Sequence, residues 1–132
     1  MDAFRTWLSR WLAPRFAPDV LAAADPLDPD PRVIARGVAE ALRRCARDDV
    51  PVRLLVARVP GAVFKIGLDA VRRRCVVERA DAAPDAPRRR AEEPLPPFTA
   101  GAGPAAFVLC GDTDNLRLEC RPGRDRIALC VR

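Results

Sequence analysis

The 132-residue chain contains no histidine and no tyrosine, and it has one lysine (Lys65) and one serine (Ser9). Without histidine an acyl-transfer triad loses its usual base, and a single serine removes most of the remaining nucleophile choices. A cysteine nucleophile needs a lowered pKa and a nearby base, and the residues around the cysteines supply no obvious one. Cys45, Cys75, Cys110, Cys120 and Cys130 are odd in number, form no C-x-x-C pair and have no histidine to complete a zinc site. Reduced thiols, four of them within apolar runs, are the expected state. Gly101 and Gly103 lack the following helix that a phosphate loop requires. These absences argue against an enzyme, and the sequence predicts no catalytic residue, no metal and no cofactor.

Long hydrophobic runs are missing too. No stretch reaches the ~18 to 20 apolar residues of a membrane-spanning helix. Asp2, Arg5 and Arg10 interrupt what would be the apolar region of a signal peptide. The expected location is therefore the cytoplasm.

What is abundant is arginine. Lysine and arginine together number 23 against 18 acids, for a net charge of +5. The densest clusters, Arg72, Arg73, Arg74 and Arg88, Arg89, Arg90, are the candidate anion-binding residues. An Arg-for-Lys bias beside so much Ala, Pro and Asp is also what a GC-rich genome produces, so a solvated basic surface is the plainer explanation. A nucleic-acid or anionic-surface binder is the alternative reading, weakened because the strands offer only Phe64 and Phe107 as stacking platforms.

Periodicity predicts one domain of mixed α and β structure. Phe4, Trp7, Leu8, Trp11 and Leu12 recur at helical spacing and form one apolar stripe, ended by Pro14. That stripe either packs on a sheet or docks on a partner protein or membrane surface, and it is the candidate partner-binding surface. A short helical stretch is expected from Pro18 to Ala24, and the Pro/Asp segment from Asp25 to Pro31 reads as a linker or elbow. Asp30 and Pro31 then mark a helix start, with Ile34, Val38, Leu42 and Cys45 along one face and Asp48-Asp49 at its end. Extended runs follow at Val50 to Val59, Ala62 to Leu68 and Cys75 to Glu78, with Pro60-Gly61 as a turn, predicting three antiparallel strands. Arg79 to Pro104 reads as a long surface loop anchored by Leu95 and Phe98. Ala105 to Cys110 has the continuous apolar character of a buried strand. Leu116 to Arg121 alternates, and Pro122-Gly123 turns into a last strand from Ile127 to Val131.

Gly61, Phe64, Leu68 and Val71, followed by Cys75-Val76-Val77-Glu78, form a phrase that resembles the N-terminal domain of YcgR-type flagellar brake proteins, often called PilZN. The run from Pro104 to Cys120 is similar to that family's closing strand, turn and strand, and the resemblance spans roughly Pro31 to Val131. It implies a small split β-barrel of about six antiparallel strands behind one helix. In this division residues 1–30 are an N-terminal amphipathic helix and linker, and 31–132 the barrel with its long loop at 79–104. It also implies a non-catalytic regulatory module, an accessory to c-di-GMP-controlled motility or secretion machinery. Arg117 and Arg121 spell R-x-x-x-R, but they alternate on a strand among many arginines, so direct c-di-GMP binding is not implied. The resulting expectation is a protein-interaction module, with self-association left open. A secretion-chaperone-like or viral accessory adaptor is a further alternative without a motif behind it.

Overall fold

The computed structural model describes residues 20–101, 105–111 and 115–131. The expected N-terminal helix, with Phe4, Trp7, Leu8, Trp11 and Leu12, lies outside the described residues. The elements in chain order are β1 (Val20–Ala22), α1 (Pro31–Asp48), β2 (Val52–Val56), β3 (Phe64–Asp69), β4 (Arg74–Arg79), β5 (Arg90–Pro94), β6 (Phe98–Ala100), β7 (Ala105–Cys110), β8 (Leu116–Arg121) and β9 (Ile127–Val131). Among the described residues one helix and nine strands give an α+β architecture.

The helix begins where its capping residues place it. The Asp30 side chain accepts the Arg32 backbone N–H at 3.0 Å, satisfying one of the donors that a helix start leaves open. The hydrogen-bonded Arg32 guanidinium holds the Asp30 carboxyl below the usual carboxylate range. Pro31, which has no N–H to waste, occupies the first turn. At the other end Asp49 is left-handed, with φ of 53°, and its N–H donates to the Cys45 carbonyl at 3.0 Å. Ile34, Val38, Leu42 and Cys45 are buried, but so are Ala35, Gly37, Ala39 and Ala41. Burial is wider than one stripe because α1 packs against β1 and β2 on one side and β4 and β5 on the other.

The strands form two sheets, β1-β2-β8-β9-β6 and β5-β4-β3-β7, and neither closes into a barrel. The two sheets and α1 share one core, in which Leu54, Val56, Phe64, Ile66, Leu68, Val77, Phe98 and Leu118 are buried. The β3–β4 and β8–β9 hairpins follow the expected antiparallel order. Three other pairings depart from the expectation. β2 pairs with β8 rather than β3, so the three consecutive strands divide between sheets. β1–β2 and β6–β9 are parallel, not antiparallel.

Two segments expected as helix and loop are strands. Val20–Ala22 is β1, because a strand there adds to β2 and places Ala22 directly under Gly37 of the helix. The 79–104 excursion contains β5 and β6. β5 hides from a hydrophobic pattern because its inward positions are Ala91 and Glu93, and Glu93 pairs with Arg36 and Arg43 of α1 instead of meeting apolar side chains. Leu95 and Phe98 are buried. The Pro/Asp segment folds as a tight turn in which Asp25 Oδ1 accepts the Leu27 N–H at 2.8 Å.

Candidate functional site

Strands β1, β6, β5 and β7 form the four sheet edges. An edge presents unpaired backbone groups, and proteins ordinarily blunt it with shortness, charge or proline. β1 and β6 are three residues long. β5 reads Arg-Ala-Glu-Glu-Pro, with charges and a terminal proline. β7 has none of these devices: its six residues, Ala-Ala-Phe-Val-Leu-Cys, carry no charge and no proline. Among the described residues it is paired on one side only, with β3.

The outer face of β7 is apolar as well. Phe107 is 71% and Leu109 66% exposed, while Cys110 is buried and Ala106 and Val108 pack partly against the core. The buried strand expected at Ala105 to Cys110 is therefore an edge strand with one face open. A run apolar on both faces reads as doubly covered, so periodicity gave no signal that one face would be bare. Phe107 is held in place by its neighbour. It stands opposite Gly67 in the β3 register, and a Cβ added at Gly67 would come 3.0 Å from the Phe107 ring. The missing side chain lets the ring lie over the glycine. Lys65 stands opposite Leu109 and gives the patch a basic border. Toward β4 and β5 the same face turns polar, with Arg74 bonded to Glu92 at 3.4 Å and Arg90 to Glu92 at 2.6 Å.

The two arginine triads are not brought together. Arg72, Arg73 and Arg74 occupy the β3–β4 turn and the start of β4, while Arg88, Arg89 and Arg90 lead into β5. Arg90 pairs with Glu78, and Arg74 with Pro94, so the triads sit at opposite ends of the β4–β5 ladder. Four residues of strand separate those ends by ~13 Å. Most of the guanidiniums are also answered by carboxylates: Arg72 by Asp69, Arg74 by Glu92, Arg88 by Asp28, Arg89 by Glu78 and Arg90 by Glu78 and Glu92. Each such exposed pair contributes little to stability, but it lowers the charge left for a polyanion. Arg117 and Arg121 are exposed on β8, and Arg121 pairs with Glu119.

The four buried thiols are poor nucleophiles as placed. Burial pushes Cys75 and Cys120 up to about 12, and it raises Cys45 and Cys110 as well. A nucleophilic cysteine needs the opposite shift. Cys130 is the exposed cysteine. Among the described residues no cluster of His, Cys, Asp and Glu could hold a metal ion, and no helix is long and apolar enough to cross a membrane. No family model, curated protein or solved structure matches the chain.

Proposed function

We propose that the chain is a non-catalytic protein-interaction module that receives an extended apolar segment of a partner protein on the free edge of β7. The observation that supports this reading is the contrast among the four edges, three of them blunted and β7 left uncharged, proline-free and flanked by exposed Phe107 and Leu109. In strand addition the backbone ladder supplies affinity, and alternate side chains meeting the pocketed face supply selectivity. The Phe107 and Leu109 side chains are the apolar contacts such a strand would cover. The stripe of Phe4, Trp7, Leu8, Trp11 and Leu12 is a second contact element of the same module.

The same reading places the protein in the cytoplasm as a regulatory accessory of a c-di-GMP-controlled machine, with its two open sheets as the halves of a split barrel. Support for that part comes from the flagellar-brake-like phrase of Gly61, Phe64, Leu68 and Val71. Phe64 and Leu68 are core residues of β3, and Gly61 turns at φ of 80°. The experiment is affinity capture with the full chain, with Leu109→Lys and with a Trp7→Ala, Trp11→Ala pair, each checked as folded by circular dichroism. A captured protein lost with Leu109→Lys supports the β7 edge. Undiminished capture by the folded Leu109→Lys variant rejects it, and loss only with the tryptophan pair transfers the contact to the N-terminal stripe.

A further inference from the structure

We propose that the surface cleft between the β3–β4 turn and the β8–β9 connection binds a small organic phosphate, gripped by Arg73 and Arg126. The cleft has a volume of about 510 Å³ and is lined by Ala70, Val71, Arg73, Pro97, Phe98 and Arg126. Among the described residues its lining side chains are apolar apart from two arginines, and none is a carboxylate. An apolar hollow of this size with a few convergent polar groups is the usual form of a small-molecule site.

Arg73 differs from the arginines beside it. Arg72 and Arg74, on either side of Arg73, are answered by Asp69 and Glu92. Among the described residues Arg73 and Arg126 make no ion pair. Two unanswered guanidiniums on one cleft repel each other, and a dianion between them removes that repulsion. A phosphate monoester carries close to two negative charges near neutral pH, and its oxygens match the planar guanidinium fork. The body of the ligand would lie on Pro97 and Phe98, so an apolar or ring-bearing ester fits the cleft better than the bare ion.

The backbone under Arg73 is held at several points. Asp69 Oδ1 accepts the N–H groups of Val71 and Arg72, both at 3.0 Å, and the Arg73 carbonyl accepts the Leu95 N–H at 2.7 Å. Arg73 itself is left-handed, with φ of 57°, a conformation that favours glycine. An adjoining cleft of about 270 Å³ shares Pro97 and Arg126, but Asp49 and Asp125 line it and disfavour an anion. The phosphate head is therefore assigned to the Arg73 side. This site is independent of the β7 edge, and either can fail without the other.

The test is calorimetric titration of the full chain with phenyl phosphate and with inorganic phosphate. Phenyl phosphate is expected to bind about tenfold more tightly than inorganic phosphate, since only it covers the apolar wall. Arg73→Gly and Arg126→Gln should each weaken it about tenfold or more, whereas Arg88→Gln, at an arginine already paired with Asp28, should change it by less than about twofold. Arg73→Gly suits the backbone, so an unchanged or raised Tm shows that lost binding is not lost folding. Equal affinity for the two anions, equal sensitivity to Arg73 and Arg88, or no binding of phenyl phosphate at millimolar concentration would each overturn the assignment. Co-sedimentation with phosphatidic acid vesicles separates a free ester from a lipid headgroup. None is expected, and Arg73-dependent co-sedimentation would overturn the small-molecule source.

Discussion

Asp49 terminates α1 in a left-handed conformation that costs a residue with a Cβ about 1 to 2 kcal/mol. The side chain makes no use of the position that glycine would not also allow, because the capping bond to Cys45 comes from the backbone N–H. Asp49→Gly should therefore raise stability by about 0.5 kcal/mol, the strain relieved less the added entropy of the unfolded chain, as read by urea denaturation. Gly37 is the opposite case. A Cβ there would come 2.6 Å from the Ala22 Cβ, with β1 backbone close behind. Alanine is the better helix former by about 1 kcal/mol, yet Gly37→Ala should destabilise by about 1 to 3 kcal/mol, because α1 and β1 must move apart. A stabilising Gly37→Ala would mean that β1 is not docked on the helix as described. Asp30→Ala removes the cap and should cost about 1 kcal/mol.

At the scale of elements, the parts of the fold that could be read from the sequence were those whose signals are local. The cap at Asp30, the stripe of Ile34, Val38, Leu42 and Cys45 and the turn at Gly61 all depend on neighbours in the chain, and the structure contains them, whereas the alternation of Leu116 to Arg121 is broken at Glu119, which is buried. β1 and β5 were not legible, since a three-residue strand and a strand whose inward positions are Ala91 and Glu93 exist only because β2, β4 and α1 receive them. The β7 edge was illegible for a related reason. Its composition is that of a buried strand, and what leaves Phe107 bare is its position at the end of the sheet order. The sequence pointed instead to two arginine triads, which folding sets at opposite ends of a ladder and mostly pairs with carboxylates. One consequence is testable on β7 itself. Leu109→Lys adds the missing edge charge at a position already 66% exposed. It should leave the urea midpoint nearly unchanged while reducing concentration-dependent association seen by light scattering. A large loss of stability would show that Leu109 is a core residue.

Over the whole molecule, the buried thiols set a limit on the alkaline side. Cys75 and Cys120 keep their protons in the native state up to about pH 12, whereas thiols in the unfolded chain ionise from the ordinary value of 9.0. Between those values the native state binds more protons than the unfolded one, so stability falls as pH rises, by about 1.4 kcal/mol per pH unit for each thiol. Below pH 8 the two thiols should leave stability flat. Cys75→Ala, although it lowers stability at neutral pH, should reduce the alkaline slope measured by urea denaturation by about 1.4 kcal/mol per pH unit. An unchanged slope would place Cys75 in a more solvated site. The single core, shared by both sheets and the helix, makes these losses global rather than local. The central claim is that β7 is an open edge which a partner strand completes. The most direct measurement is amide hydrogen exchange of β7 in the free chain and in the captured complex. The account predicts that β7 amides not bonded to β3 exchange quickly in the free protein and become protected on partner binding, with β1, β5 and β6 unchanged. Protection of β7 already complete in the free monomer, or a complex that leaves β7 exchange unaltered, would contradict it.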